Sequence, residues 1–142
     1  MSFDSIGGAN AIKDILAGLS GIGGAQIGVP ESIGPRVWGY VTVGSMIMLP
    51  GTPGSTDRNT HYMATLAYRL DDNEATAETT LMGLVDEFLD KLKIGFMLTT
   101  VGRIMDVSTA LADSPEYIAR AAKEYREYPV VITLRQRHQY TT

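Results

Sequence analysis

The 142-residue chain has no cysteine. That absence excludes disulfide staples, thiolate metal sites and thiol nucleophiles, and it suits a reducing compartment. Histidine is nearly as scarce. His61 and His138 stand far apart, with no H-x-x-x-H or H-E-x-x-H spacing, so the pattern points to no zinc or iron site and no cofactor is expected. No apolar run approaches the roughly 20 residues that a membrane span needs, so no membrane partner is expected. Met1-Ser2-Phe3-Asp4 lacks a basic n-region and an apolar h-region, and the expectation is a soluble product without a signal peptide. The net charge of −4 argues against a dedicated nucleic-acid binder, because counterion release needs clustered Lys and Arg.

Charge is also missing locally. Up to Thr56 the only charged residues are Asp4, Lys13, Asp14, Glu31 and Arg36, while twelve of the fifteen glycines lie before residue 55. The same stretch carries Ile, Val, Met, Leu and Trp, which its own side chains cannot keep solvated. It needs cover from the core or from a partner. By region the charge runs −1 up to Thr56, −5 from Asp57 to Asp113 and +2 from Ser114 onward.

What is present amounts to one domain, at 44% hydrophobic and 20% charged residues. Ile12, Ile15, Leu16 and Leu19 follow helical spacing and predict a helix from Ala9 to Leu19, with Gly21 as terminator. Residues 20–35 are dominated by glycine and proline and predict an extended loop. Val37, Gly39, Val41 and Val43 alternate with Trp38, Tyr40 and Thr42, and Met46 to Leu49 continue the strand. Pro50 to Asn59 then predicts the polar Pro/Gly tip of a long hairpin, whose returning strand runs over Tyr62 to Leu70. Leu81, Leu84, Val85, Phe88, Leu89 and Leu92 predict an amphipathic helix, capped at Asp71-Asp72-Asn73 and stopped by Gly95. Asp86, Glu87, Asp90 and Lys91 fall on its solvent side. Met105 to Leu111 predicts a strand, Ser114 to Tyr125 a short third helix with Ser114 as N-cap and Pro115 at N1, and Pro129 to Tyr140 a last strand. The expected class is α+β: an antiparallel sheet with two main helices on one face and a long projecting hairpin.

No catalytic constellation emerges, and no enzyme is expected. Ser20 has the wrong glycine spacing for a nucleophile elbow. The run Gly21 to Gly28 lacks the lysine and hydroxyl of a phosphate loop and follows a helix rather than a strand. A small-ligand-binding or regulatory domain using the Gly-rich loop 20–35 is the alternative reading. Asp71-Asp72 reads as a capping turn and Asp86-Glu87 as solvated surface. Arg135 and Arg137 share one face of a strand. They could grip a partner's carboxylate or phosphate, or protect an exposed edge by their charge. Trp38, Tyr40 and Met46-Ile47-Met48-Leu49 belong to a ribbon with one face too many for its own core, and aromatic and Met residues suit interfaces. The candidate interface comprises these six with Ile22, Ile27 and Val29 of the Gly-rich segment, Asp57 and Arg58 beside the hairpin tip, and Arg135 and Arg137.

The order of elements resembles the tail-terminator or tail-completion (head-tail joining) proteins of long-tailed bacteriophages. The resemblance rests on the N-terminal helix, the Pro/Gly-rich tip from Leu49 to Asn59, the helix led by Asp71-Asp72-Asn73-Glu74-Ala75 with Leu81 to Leu92 as its apolar face, and the closing strand after Tyr125-Arg126-Glu127-Tyr128. It implies a homo-oligomeric ring, usually of six subunits, in the virion tail or neck. Such a ring caps the tail tube, ends its polymerisation and meets the head-side connector, with DNA only in transit through the lumen. It also implies a strand where Ser114 to Tyr125 reads as helix.

Overall fold

The computed structural model describes residues 5–31, 34, 36–49, 53–70, 74–98, 104–112, 116–120 and 123–139. In chain order the elements are α1 (Ser5–Ala17), β1 (Gly24–Ile27), β2 (Trp38–Leu49), β3 (Ser55–Arg69), α2 (Glu74–Leu98), β4 (Ile104–Ala112), β5 (Glu116–Arg120) and β6 (Lys123–Gln139). The class is α+β. The strands form one mixed sheet in the order β1-β2-β3-β6-β4, with β5 paired to β6 off this path. β2, β3, β6 and β4 alternate in direction, and only β1 runs parallel to its neighbour, β2.

Both helices pack on one face of this sheet. Ile12 and Leu16 of α1 and Leu81, Leu84, Val85, Phe88 and Leu92 of α2 share one buried cluster with Val41, Tyr62, Ala64, Leu66, Val130, Ile132 and Leu134. Helical spacing delivers the first set and strand alternation the second, so the two periodicities meet in one core. Glycine permits the closest approach of α1 to the sheet. At Gly8 an added Cβ would run into the Tyr62 hydroxyl, 3.0 Å from Cζ of the same ring, and at Gly39 it would lie 3.2 Å from Leu16 Cδ1. The Tyr62 hydroxyl donates to the carbonyl of Ser5 at 2.8 Å, fixing the first turn of α1 over β3.

Two polar contacts from α2 hold the other end of α1. Glu87 accepts hydrogen bonds from the backbone N–H and the hydroxyl of Ser20, and Lys91 donates to the carbonyl of Gly18 at 2.9 Å. The lysine satisfies a carbonyl that the end of a helix leaves unpaired. The Ser20 hydroxyl, then its N–H, hold the Glu87 carboxyl below its ordinary value, with Lys91 adding to the effect against a small opposing cost of burial. Glu87 is therefore a clasp rather than idle solvated surface, whereas Asp86 and Asp90 are exposed as expected.

Several expected boundaries move. α1 starts four residues earlier than predicted and ends at Ala17. The 20–35 segment is not all loop: Gly24–Ile27 forms β1 along the first residues of β2. The polar tip is shorter than predicted, because β3 begins at Ser55 and takes in Asp57, Arg58 and Asn59. Gly95 does not stop α2, which continues to Leu98; glycine inside a helix costs only about 1 kcal/mol unless it turns left-handed. The third helix is absent. Residues 116–120 are β5 and β6 starts at Lys123, because pairing with β6 outweighs the local helix signal of Ala and Tyr at helical spacing. The expected caps at Asp71-Asp72-Asn73 and the start at Ser114-Pro115 lie outside the described residues.

Two glycines give a controlled test of the close approach. Gly83, in the exposed middle of α2 with nothing near its absent Cβ, should gain up to about 1 kcal/mol of stability on substitution by alanine. Gly8→Ala has the same helical gain but should lose about 1–3 kcal/mol net through overpacking against Tyr62, as read by urea denaturation. The Glu87 clasp has a pH signature. A carboxyl whose pKa is depressed by folding adds stability above its unfolded pKa, and that stability is lost as pH falls through the folded one. Glu87→Gln should therefore cost up to about 1 kcal/mol at pH 7, and the gap to the parent should narrow as pH falls through the ordinary glutamate range and close below the depressed folded value.

Candidate protein-interaction edge

Toward the β2–β3 connection β2 carries exposed apolar side chains on both faces of the sheet. A bulge shapes that end. Val43 pairs with Tyr62 and Met46 with Thr60, so Gly44 and Ser45 together face His61. Two residues opposite one bend the strand and reverse its alternation. Before the bulge the odd residues Val41 and Val43 share the helix-side face with Tyr62. After it, Met46 and Met48 take that face with Thr60 and Arg58, and Ile47 and Leu49 turn to the other. The sequence continues the strand over Met46 to Leu49 without signalling this bulge, which shifts the alternation by one. The backbone of Gly44 also lies close to His61, with an added Cβ 3.4 Å from the His61 carbonyl oxygen.

On the face away from the helices, the half of the sheet around Trp38 is closed by its own side chains. Tyr40, Ala67 and Tyr125 are buried together with Trp38 against them. The Tyr40 hydroxyl reaches across the small Ala67 to donate to the buried carboxylate of Glu127. The Trp38 indole N–H donates to Gln26 at 3.2 Å, and Gly24 is pressed beneath the same ring, where a Cβ would lie 2.6 Å from the indole. Gly24, with Gly23 beside it, thus makes room for the tryptophan ring.

The candidate interface residues separate accordingly. Tyr40 is buried, and Ile22 is half-buried against the main core. Asp57 is buried too, and Arg135 donates to its Oδ2 from Nε at 2.9 Å and Nη2 at 2.5 Å. Arg58 reaches the Ser5 hydroxyl and Gln136. Arg135 does not guard an edge, because β6 lies between β3 and β4; its guanidinium is engaged by its own chain, and the side chain of Arg137 lies outside the described residues. What remains open is Ile27, Val29 and, above all, Met46, Ile47 and Met48, which are 47%, 49% and 56% exposed. Leu49 is half-buried.

Of the twelve residues of β2, only Trp38–Val41 pair with β1. From Thr42 to Leu49 the outer backbone edge of β2 has no neighbouring strand among the described residues. No charged residue occurs between Arg36 and Asp57. An uncharged, apolar strand open along its edge and on both faces is what natural sheets ordinarily avoid, because it invites pairing with another chain. Buried Asn59 Oδ1 and Thr60 Oγ1, on β3 beside it, have no hydrogen-bond partner among the described residues.

Little else resembles a site. An open depression of ≈ 320 Å³ lies at the bulge between Thr42, Ser45, His61, Met63 and Val131, and His61 Nδ1 meets the Thr133 hydroxyl at 2.9 Å. Among the described residues no group of three His, Asp or Glu is placed to hold a metal ion, and no helix is long and apolar enough to cross a membrane. Comparison with protein-family models and with curated protein sequences finds no match. The residues of the open edge therefore carry the functional argument.

Two parts of β2 should respond differently to mutation. Ile47→Ser and Met48→Ser should each change the stability of the isolated chain by less than about 0.5 kcal/mol, since neither is buried. Tyr40→Phe should cost about 1–3 kcal/mol, because it removes a donor from the buried Glu127 carboxylate. Urea denaturation of the three variants checks both expectations.

Proposed function

We propose that the chain is a non-enzymatic structural subunit of a virion tail or neck, of the kind that caps a tail tube. On this reading copies made in the host cytoplasm assemble into a ring, of six subunits as the tail-terminator resemblance implies. The ring ends tube polymerisation and joins the tube to the head-side connector. The observation that carries the proposal is the charge-free half of β2, whose apolar side chains and backbone edge are left open among the described residues. Such a surface needs a protein partner, and a permanent assembly supplies one.

Other features support the same reading. The strand at Glu116–Arg120 agrees with the arrangement that the resemblance implies there. A ring requires two different patches on each subunit in a closing heterologous contact, and the two sides of this sheet end in different strands. The net negative charge suits a lumen through which DNA passes without being held.

Light scattering and negative-stain imaging of the purified protein test the proposal. The expected result is a ring-sized particle, or a monomer that assembles when tail-tube ends are added and stops their growth. A chain that stays monomeric and never associates with tail-tube protein would defeat it.

A further inference from the structure

The open edge of β2 has a counterpart across the sheet. β4 pairs with β6 on one side, and among the described residues no strand pairs with its other side. The two open edges stand level. Met48 is opposite Arg58, Arg58 opposite Gln136, and Gln136 opposite Ile104; at the other end Val41 leads through Ala64 and Val130 to Ala112. The eight residues from Thr42 to Leu49 and the nine of β4 therefore occupy the same band of the sheet on opposite sides.

Their directions also match. β2, β3, β6 and β4 alternate, and four is an even number, so β4 runs opposite to β2. When copies repeat side by side with the same orientation, as a ring demands, β4 of one lies antiparallel to β2 of the next. The short strands leave room for this. β1 covers β2 only as far as Val41, the level at which β4 ends, and β5 pairs with Lys123–Glu127, past the other end of β1. The only charged residue in either segment is Asp106, so no like charges oppose one another.

We infer that the occupant of the Thr42–Leu49 edge is β4 of a second copy of this chain, added as an antiparallel strand so that one sheet continues from subunit to subunit. Main-chain hydrogen bonds supply the attraction in this mode, and alternate side chains fix the register. Met46, Ile47 and Met48 are then covered by the neighbour. The inference rests on the ring reading for its closed symmetry but not on any tail component.

Because the chain lacks cysteine, introduced thiols are the only ones present. Met46→Cys and Val107→Cys stand at the same level, as do Ile47→Cys and Asp106→Cys. Mixing the β2 variant of either pair with its β4 variant under mild oxidation should give a covalent dimer of the two different chains. Either variant alone should give none, and the double variant should give a ladder of oligomers. Met48→Lys, whose site is exposed in the single chain, should leave the circular dichroism and Tm unchanged and weaken self-association by at least about tenfold. A disulfide formed by a β2 variant alone would replace the inference with a symmetric β2–β2 contact. Absence of cross-links in both pairs would overturn it. Rings that cap tubes without these cross-links would leave the proposed function standing and sink the inference alone. A β2–β4 ladder from protein that ignores tail-tube ends would do the reverse.

Discussion

Strand β3 is hydrogen-bonded along its length, to β2 on one side and over all fifteen of its residues to β6 on the other. The rest of the molecule is arranged around that double pairing. Its middle, from Tyr62 to Leu66, carries the helix-side core, and Tyr62 anchors the start of α1. Near its start, Asp57 to Thr60 pair with the uncharged half of β2, whose Met46, Ile47 and Met48 are exposed.

The two halves of β2 show how one strand can serve two purposes. Between Trp38 and Val41 the strand is paired on both edges, and its outer face is sealed by Tyr40, Tyr125 and the buried Glu127. Beyond Gly44-Ser45 neither condition holds. The bulge turns Met46 and Met48 toward the face of α1, where the Ser5 hydroxyl donates to Met46 Sδ at 3.9 Å. Charge at this end is met within the chain by the Asp57–Arg135 pair and by Arg58 with Gln136. The apolar demand is not. Internal satisfaction of the charges and external exposure of the methionines together favour a partner that covers hydrocarbon and backbone over one that supplies counter-charges.

Much of this was legible in the sequence, for identifiable reasons. Strong periodicity gave the two helices and the main strands, and the missing charge before Asp57 pointed to the segment that needs cover. Long-range pairing was not legible. The helix signal over Ser114 to Tyr125 is local and yields to β6, and Gly24–Ile27 becomes a strand only because β2 lies beside it and Trp38 needs a glycine beneath its ring. The Gly44-Ser45 bulge has no clear signature, so the sides to which Met46 to Leu49 point become visible only in the fold. Tyr40 and Asp57 were placed in the interface because aromatic and charged residues near a tip look available. Their partners, Glu127 and Arg135, are about eighty positions away and visible only once the chain is folded.

An uncharged edge has to avoid indiscriminate pairing before its proper neighbour arrives. Natural sheets use inward charges, proline, short strands or bulges for this. β2 has surrendered charge between Arg36 and Asp57 but keeps a bulge, which raises local twist and disfavours flat stacking of many strands. β4 is irregular too, with register shifts between Ile104 and Asp106 and between Val107 and Thr109. Two edges that each depart from regular pleating accept few partners, since a strand must match both twist and interruption to bond along its length. In the proposed assembly a second copy meets that requirement, because its β4 is shaped by the same β6 that is tied through β3 to β2. In the proposed pairing, selectivity at this edge comes from backbone shape instead of charge.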